Sequence, residues 1–414
     1  MLLFQVLVAA FAFLASTVAL NLPALAFPSK RSTTIHSTKI STTALERQAK
    51  REFRLLQLKY SEKIDIRSKQ RKEEDEGGMM KRVVKAIVTP PVVSQRQVGL
   101  TPLTPNNRMI GWSASYQIFK GNALKLLFDS GSSLTIVNRD AYTPSPLALD
   151  TGYVVTTTYM DGTHGSGNVI LDYISIGGLT LRTTLVWASE NIINSAFGVD
   201  GILGVGFTDS QSAASLVEAM VQNFTMLNDV ICMTMTNTGD GALQFGALDA
   251  NIVNEIQYTD TLTQAGHAWD TRVSINGVGP FNSVIDTGTT FTWLPIKMAR
   301  QLFNELKLPI YQAEGSGQQE GELYARYPCR QGPPEIKFVI GDISIPFTLA
   351  PKTLDAWTFD DCRLSIIGSP QLKDTDDAII GANFLKNVHF VMDRGLYKLG
   401  FAQRILAPEE QGLP

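Results

Sequence analysis

The chain has 414 residues, too many for one ordinary core, so two or more folding units are expected. Charged residues make up only 18%, while Gly, Ser, Thr and branched apolar residues are plentiful, which excludes long charged helices and favours short strands and turns. The net charge of −3 hides an asymmetry: residues 27–82 hold 15 Lys and Arg against 8 Asp and Glu, leaving 21 basic and 31 acidic residues elsewhere.

Residues 1–26 carry no charged side chain and end in Ala24-Leu25-Ala26, the pattern of a secretory signal peptide. An N-terminal membrane anchor is the alternative. No later stretch is apolar and long enough to span a bilayer, and the segment from Ala407 onward lacks the tail of a lipid anchor. A secreted, extracellular protein with no membrane partner is the expectation. The basic leader at 27–82 follows. Leu55, Leu56 and Leu58 among basic residues predict a helix within 45–60, and residues 71–78 form a solvated charge run. Lys81-Arg82 then offers a dibasic site to a processing protease, as do Lys30-Arg31 and Lys50-Arg51. Basicity alone would also suit nucleic acid, but secretion argues against that partner.

From Ser113 onward short apolar runs alternate with Gly, Asn and Asp. Those at 123–128, 169–176, 242–245, 272–275, 336–339 and 396–401 read as strands, giving an all-β body. Helical spacing occurs at 212–222 and 297–306. Asn223-Phe224-Thr225 is a glycosylation sequon. Three cysteines fit an oxidising compartment with one bridge and one thiol left over; Cys232, in an apolar run, reads as a packed thiol. The four histidines are scattered, and no Cys or His cluster has metal-ligand spacing, so neither a metal nor another cofactor is expected.

One local pattern occurs twice. Leu127-Phe128-Asp129-Ser130-Gly131-Ser132-Ser133 returns, 157 positions later, as Val284-Ile285-Asp286-Thr287-Gly288-Thr289-Thr290. Each copy delivers an acid from the end of an apolar strand into a turn of Gly and hydroxyl residues. Burial raises such a carboxyl's pKa, while hydroxyls and N–H groups fix its plane. A single Asp-Thr-Gly turn is weak, but two on apolar strands are a strong signal. An apolar-apolar-Gly triplet follows each copy, at Ile202-Leu203-Gly204 and Ile379-Ile380-Gly381.

With these motifs the chain resembles the pepsin-like aspartic protease family, and a fungal-type secreted acid protease in particular, from about Gly99 to Arg404. The resemblance implies a monomeric, bilobal β fold with the two acids meeting across a cleft. It implies lobes at 83–265 and 266–414, with Phe390–Arg394 and Leu399–Ala402 as closing strands and Cys329–Cys362 as the second lobe's disulfide. Asp129 and Asp286 would be the catalytic pair, supported by Ser130, Ser132 and Thr287. Gly131, Gly288, Thr289, Thr290 and Ile202 would border the peptide substrate. Residues 157–163 resemble the flap hairpin, with Tyr159 as its tyrosine and Asp161-Gly162 as its turn. Met160 departs from the usual glycine, and Ile136 from a tryptophan that commonly binds the flap tyrosine.

The implied chemistry is hydrolysis of peptide bonds at acidic pH, between apolar residues, by a water activated between two carboxyls that share a proton. The basic leader would act as an inhibitory propeptide. A catalytically inactive binding or inhibitor protein is the competing expectation; no Ser in a Gly-x-Ser-x-Gly turn supports a nucleophilic hydrolase.

Overall fold

The computed structural model describes residues 97–105, 111–119, 121–158, 164–193, 198–207, 215–223, 225–236, 241–262, 268–314, 321–341, 343–348, 361–372 and 375–406. The chain divides after Glu74, and all of these residues lie in its second unit, Asp75–Pro414. The signal segment, the basic leader and its expected helix lie outside the described residues, as do Tyr159, Met160 and Asp161.

Alternation of apolar and polar residues produces the strands. In Ala123–Asp129, Leu124, Leu126 and Phe128 are buried while Ala123 and Lys125 face water. All six expected runs coincide with strands. The last, expected from Leu396, forms as Lys398–Gln403, because Tyr397 adopts a φ of 57° and the Asp393 carboxylate accepts the Leu396 N–H in a turn. The helix expected from residue 212 is found as Leu216–Gln222: Ser215 is extended, and its hydroxyl caps the Glu218 N–H. Ile296–Glu305 matches the second helix within a residue and turns Ile296, Ala299, Leu302 and Phe303 inward.

The described strands form two sheets, of 13 and 9 strands. At the centre of the first, Ala123–Asp129 runs parallel to Gly201–Gly204, which is antiparallel to Thr135–Val137. The second repeats the plan: Val278–Ile285 runs parallel to Asp377–Ile380, which pairs antiparallel with Thr292–Pro295 at Trp293 and Ile379. Each triplet is thus the strand beside its own Asp strand. The chain then returns. Val388–Asp393 pairs with Val230–Thr234, and Lys398–Gln403 pairs with Gln257–Asp260, so the last strands complete the sheet begun by the first half.

Cys329 and Cys362 form the disulfide, closing 33 positions of chain, and Cys232 is a buried free thiol. Among the described residues no helix is long and apolar enough to cross a membrane, and no group of three or more His, Cys, Asp or Glu could hold a metal ion.

Candidate active site

Asp129 ends its strand, and Asp286 directly follows its own. The turns that follow hold the two carboxylates in matching ways. The Gly131 N–H donates to Asp129 Oδ1 at 2.9 Å and the Ser132 hydroxyl to Oδ2 at 2.5 Å. The Gly288 N–H donates to Asp286 Oδ1 at 2.8 Å and the Thr289 hydroxyl to Oδ2 at 2.5 Å. Both carboxyls are therefore fixed in plane before any ligand arrives.

Ser130 and Thr287 lock the turns to each other. The Ser130 N–H donates to Thr287 Oγ1 at 2.9 Å, and the Thr287 N–H returns a bond to Ser130 Oγ at 3.0 Å. Their hydroxyls donate onward to the opposite strands, Ser130 to the Ile285 carbonyl at 2.6 Å and Thr287 to the Phe128 carbonyl at 2.8 Å. Both side chains are fully buried. Such a lattice is rigid, because breaking any bond strands a buried polar group.

The carboxyls lie face to face. A Cβ on Gly131 would stand 2.6 Å from Asp286 Cγ, and one on Gly288 would stand 2.6 Å from Asp129 Oδ1. These glycines were expected to admit a substrate backbone; the atom each one admits here is the opposite carboxylate. Asp129 is 7% exposed. Burial raises its pKa well above the ordinary carboxylate value, and the charge of Asp286 and their shared hydrogen bond raise it further. The Ser132 and Gly131 bonds pull the other way and lose.

The triplet glycines pack against these turns. A Cβ on Gly204 would meet the Leu134 carbonyl at 2.5 Å, and one on Gly381 the Phe291 carbonyl at 2.2 Å. Thr290 is half-buried beside Thr289. Ile202, expected at a substrate pocket, retains 7% of its surface, in register with Leu127 and Ile136. Ile136 packs with Val186 and Ala188, beneath Val155 of the strand that leads to the expected flap. Asn223 is exposed at a helix C-terminus, with its side-chain N–H donated to the Ala219 carbonyl at 2.7 Å, while Thr225 of the same sequon is buried.

The sequence reading missed two buried tryptophans. Trp112 and Trp269 each stand 17 residues before their Asp, and both are completely buried. That common offset was the available signal. The triplets also extend further, to Gly204-Val205-Gly206-Phe207 and Gly381-Ala382-Asn383-Phe384.

Comparisons with known proteins agree with this geometry. The family model for eukaryotic aspartyl protease matches residues 119–404. The chain is 26% identical over 299 residues to secreted aspartyl protease 1 of Malassezia globosa, covering 70% of this chain and 73% of that protein. It is 27% identical over 314 residues to penicillopepsin-3 of Penicillium janthinellum, covering 68% and 76%. Its fold is similar to the crystal structure of the aspartic proteinase from Irpex lacteus, with a TM-score of 0.64 at 21% identity, over 76% of this chain and all of that one. With two lobes of β-sheet, a duplicated Asp turn and a family match across most of its described residues, the chain belongs to the eukaryotic aspartyl protease family and is an aspartic-type peptidase.

Proposed function

We propose that the protein is a secreted endopeptidase, made as a zymogen, in which Asp129 and Asp286 hydrolyse peptide bonds between apolar residues at acidic pH. The observation that carries this reading is the pair of face-to-face carboxyls, each held by one N–H and one hydroxyl, with Asp129 inclined to keep its proton. Two such groups titrate as a unit and hold one proton between them over part of the acidic range. The ionised member takes a proton from a bound water as its oxygen bonds to the peptide carbonyl carbon. The protonated member donates to the carbonyl oxygen. Collapse of the tetrahedral species breaks the C–N bond, and the amine leaves with a proton from the pair. Above this range the shared proton is lost and activity falls.

Extracellular location, inhibition by the basic leader until processing near Lys81-Arg82, a monomeric state and glycosylation at Asn223 belong to the same proposal. Secretion is supported by the apolar segment at 1–26 and by a relative whose name includes it. Tyr159 and Asp161 would close over the substrate, and Ser130, Ser132, Thr287, Thr289 and Thr290 would support the pair.

The test is cleavage of an unfolded protein substrate from acidic to neutral pH, with and without pepstatin, by the wild type, Asp129→Asn and Asp286→Asn. We expect acid-dependent, pepstatin-blocked cleavage that each substitution reduces by roughly a thousandfold or more. Cleavage that persists in either variant would refute the assignment. A folded, processed wild type that cleaves nothing would favour the inactive binding protein instead.

A further inference from the structure

Trp269 belongs to the half of the chain that carries Asp286, yet its indole N–H donates across to the Val205 carbonyl, at 3.0 Å. Val205 directly follows Gly204 of the first triplet, and its N–H donates to the Asp129 carbonyl at 2.9 Å. On the other side, the Trp269 carbonyl accepts the Ile285 N–H at 2.8 Å, and the Ile285 carbonyl accepts the Ser130 hydroxyl at 2.6 Å. Ser130 is the residue after Asp129. The four hydrogen bonds therefore close a circuit through both Asp-bearing strands. Val205, Trp269, Ile285 and Ser130 are all at 0% exposure, so water cannot substitute for any of its bonds. Only two side chains take part, the Ser130 hydroxyl and the Trp269 indole.

The duplication supplies an internal comparison. Trp112 stands at the matching offset from Asp129, and Ala382 matches Val205 as the residue after the triplet glycine. Here the bond is not made. Trp112 Nε1 has no hydrogen-bond partner among the described residues, and the Ala382 carbonyl accepts the Lys386 N–H at 3.0 Å. The Lys386 ammonium lies instead over the Trp112 ring, 4.7 Å from its centroid. The two indoles fill matching places with equal bulk, and of the two only Trp269 ties one half to the other by a hydrogen bond among the described residues.

We propose that Trp269 is a positioning residue for the carboxylate pair: its indole N–H sets the Asp129 turn against the Asp286 turn and so fixes the separation at which they share a proton. The proposal rests on the proton-sharing reading of the site. Without that N–H the buried Val205 carbonyl has no donor among the described residues, and its relief is a shift of the Val205 segment. That shift is passed to Asp129 through the Val205 N–H. The carboxyl pair is sensitive to a sub-ångström change, because both its mutual coupling and its hold on one water depend on spacing.

The experiment replaces Trp269 by Phe and, to preserve shape, by benzothienylalanine, which carries sulfur in place of the N–H. Trp112→Phe serves as the matched control. Carboxyl-carbon NMR of Asp-labelled, unliganded protein follows the pair's titration, and kcat and KM are measured against pH on the same proteins. We expect both Trp269 variants to lower kcat on the order of tenfold with KM nearly unchanged. We also expect the pair's upper titration step to move down toward ordinary carboxylate values. Trp112→Phe should leave both readouts in place. Trp269 variants with wild-type titration, or a Trp112→Phe protein that matches them, would overturn the proposal. The titration needs no substrate, so a wild type that cleaves nothing would refute the protease reading while the NMR shift still decides the role of Trp269.

Discussion

Lys386 is 3% exposed, and its ammonium rests on the face of Trp112 with no salt bridge among the described residues. Burial lowers its pKa from 10.5 to about 8. A base whose pKa falls on folding contributes stability above its unfolded value and loses it as pH falls through the folded one. Below about pH 8 the folded protein therefore carries the whole cost of a buried charge, on the order of 3 kcal/mol, partly offset by about 1–2 kcal/mol from the indole face. Lys386→Met keeps the volume and removes the charge. We expect it to raise thermal stability at acidic pH by roughly 1–2 kcal/mol, a gain that fades as pH rises from 8 toward 10.5. Equal unfolding temperatures at pH 4 and pH 7 for variant and wild type would show that the charge is not costly. No sequence pattern announced Lys386: it directly follows the short helix Ala382–Leu385, and the ring its ammonium meets stands 274 positions earlier in the chain.

At the scale of elements, the repeated unit is an Asp strand, a turn and a triplet strand laid beside it. Gly381 shows what the unit demands. Its φ of −91° is open to any residue, so the requirement is space rather than backbone freedom. A Cβ there would stand 2.2 Å from the Phe291 carbonyl and 2.7 Å from the Thr289 carbonyl, both backbone atoms of the turn that holds Asp286. Gly381→Ala must push that turn away. We expect a loss of about 3 kcal/mol or more in urea unfolding, together with a reduced kcat. A change below about 1 kcal/mol would mean the turn can yield, contrary to a close-packed interior. The triplets were legible in the sequence as a spacing. Their purpose was not, since the contact that demands glycine is with a carbonyl about 90 positions earlier.

At the scale of the molecule, the halves are interleaved as well as paired. Val388–Asp393 adds to Val230–Thr234, where Phe390 stands opposite Met233 and Met392 opposite Ile231. Arg394, in the turn that follows, forms a salt bridge with Glu218 of the first half's helix and packs its guanidinium 4.4 Å from the Tyr397 ring centroid. A fragment ending at residue 265 would bare the edge of Val230–Thr234 and the apolar residues beside it. We expect that fragment, produced alone, to lack a cooperative unfolding transition by circular dichroism. A sharp transition would show that the first half is a self-sufficient domain.

The family resemblance implied the bridge between Cys329 and Cys362, which the structure contains; the sequence by itself determined the fold class, the strands with strict alternation and the acid pair. Each of these rests on local periodicity or on a pattern written twice. Ser132 and Thr289 were legible for the same reason, because they bond an acid three residues away. Tertiary structure alone decided that Gly131 faces Asp286, that Ser130 reaches Ile285, and that among the described residues the Trp269 indole is hydrogen-bonded while that of Trp112 is not. Those contacts join residues 64 to 155 positions apart. Their geometry is set by how two sheets meet, and no local pattern in a chain records that meeting.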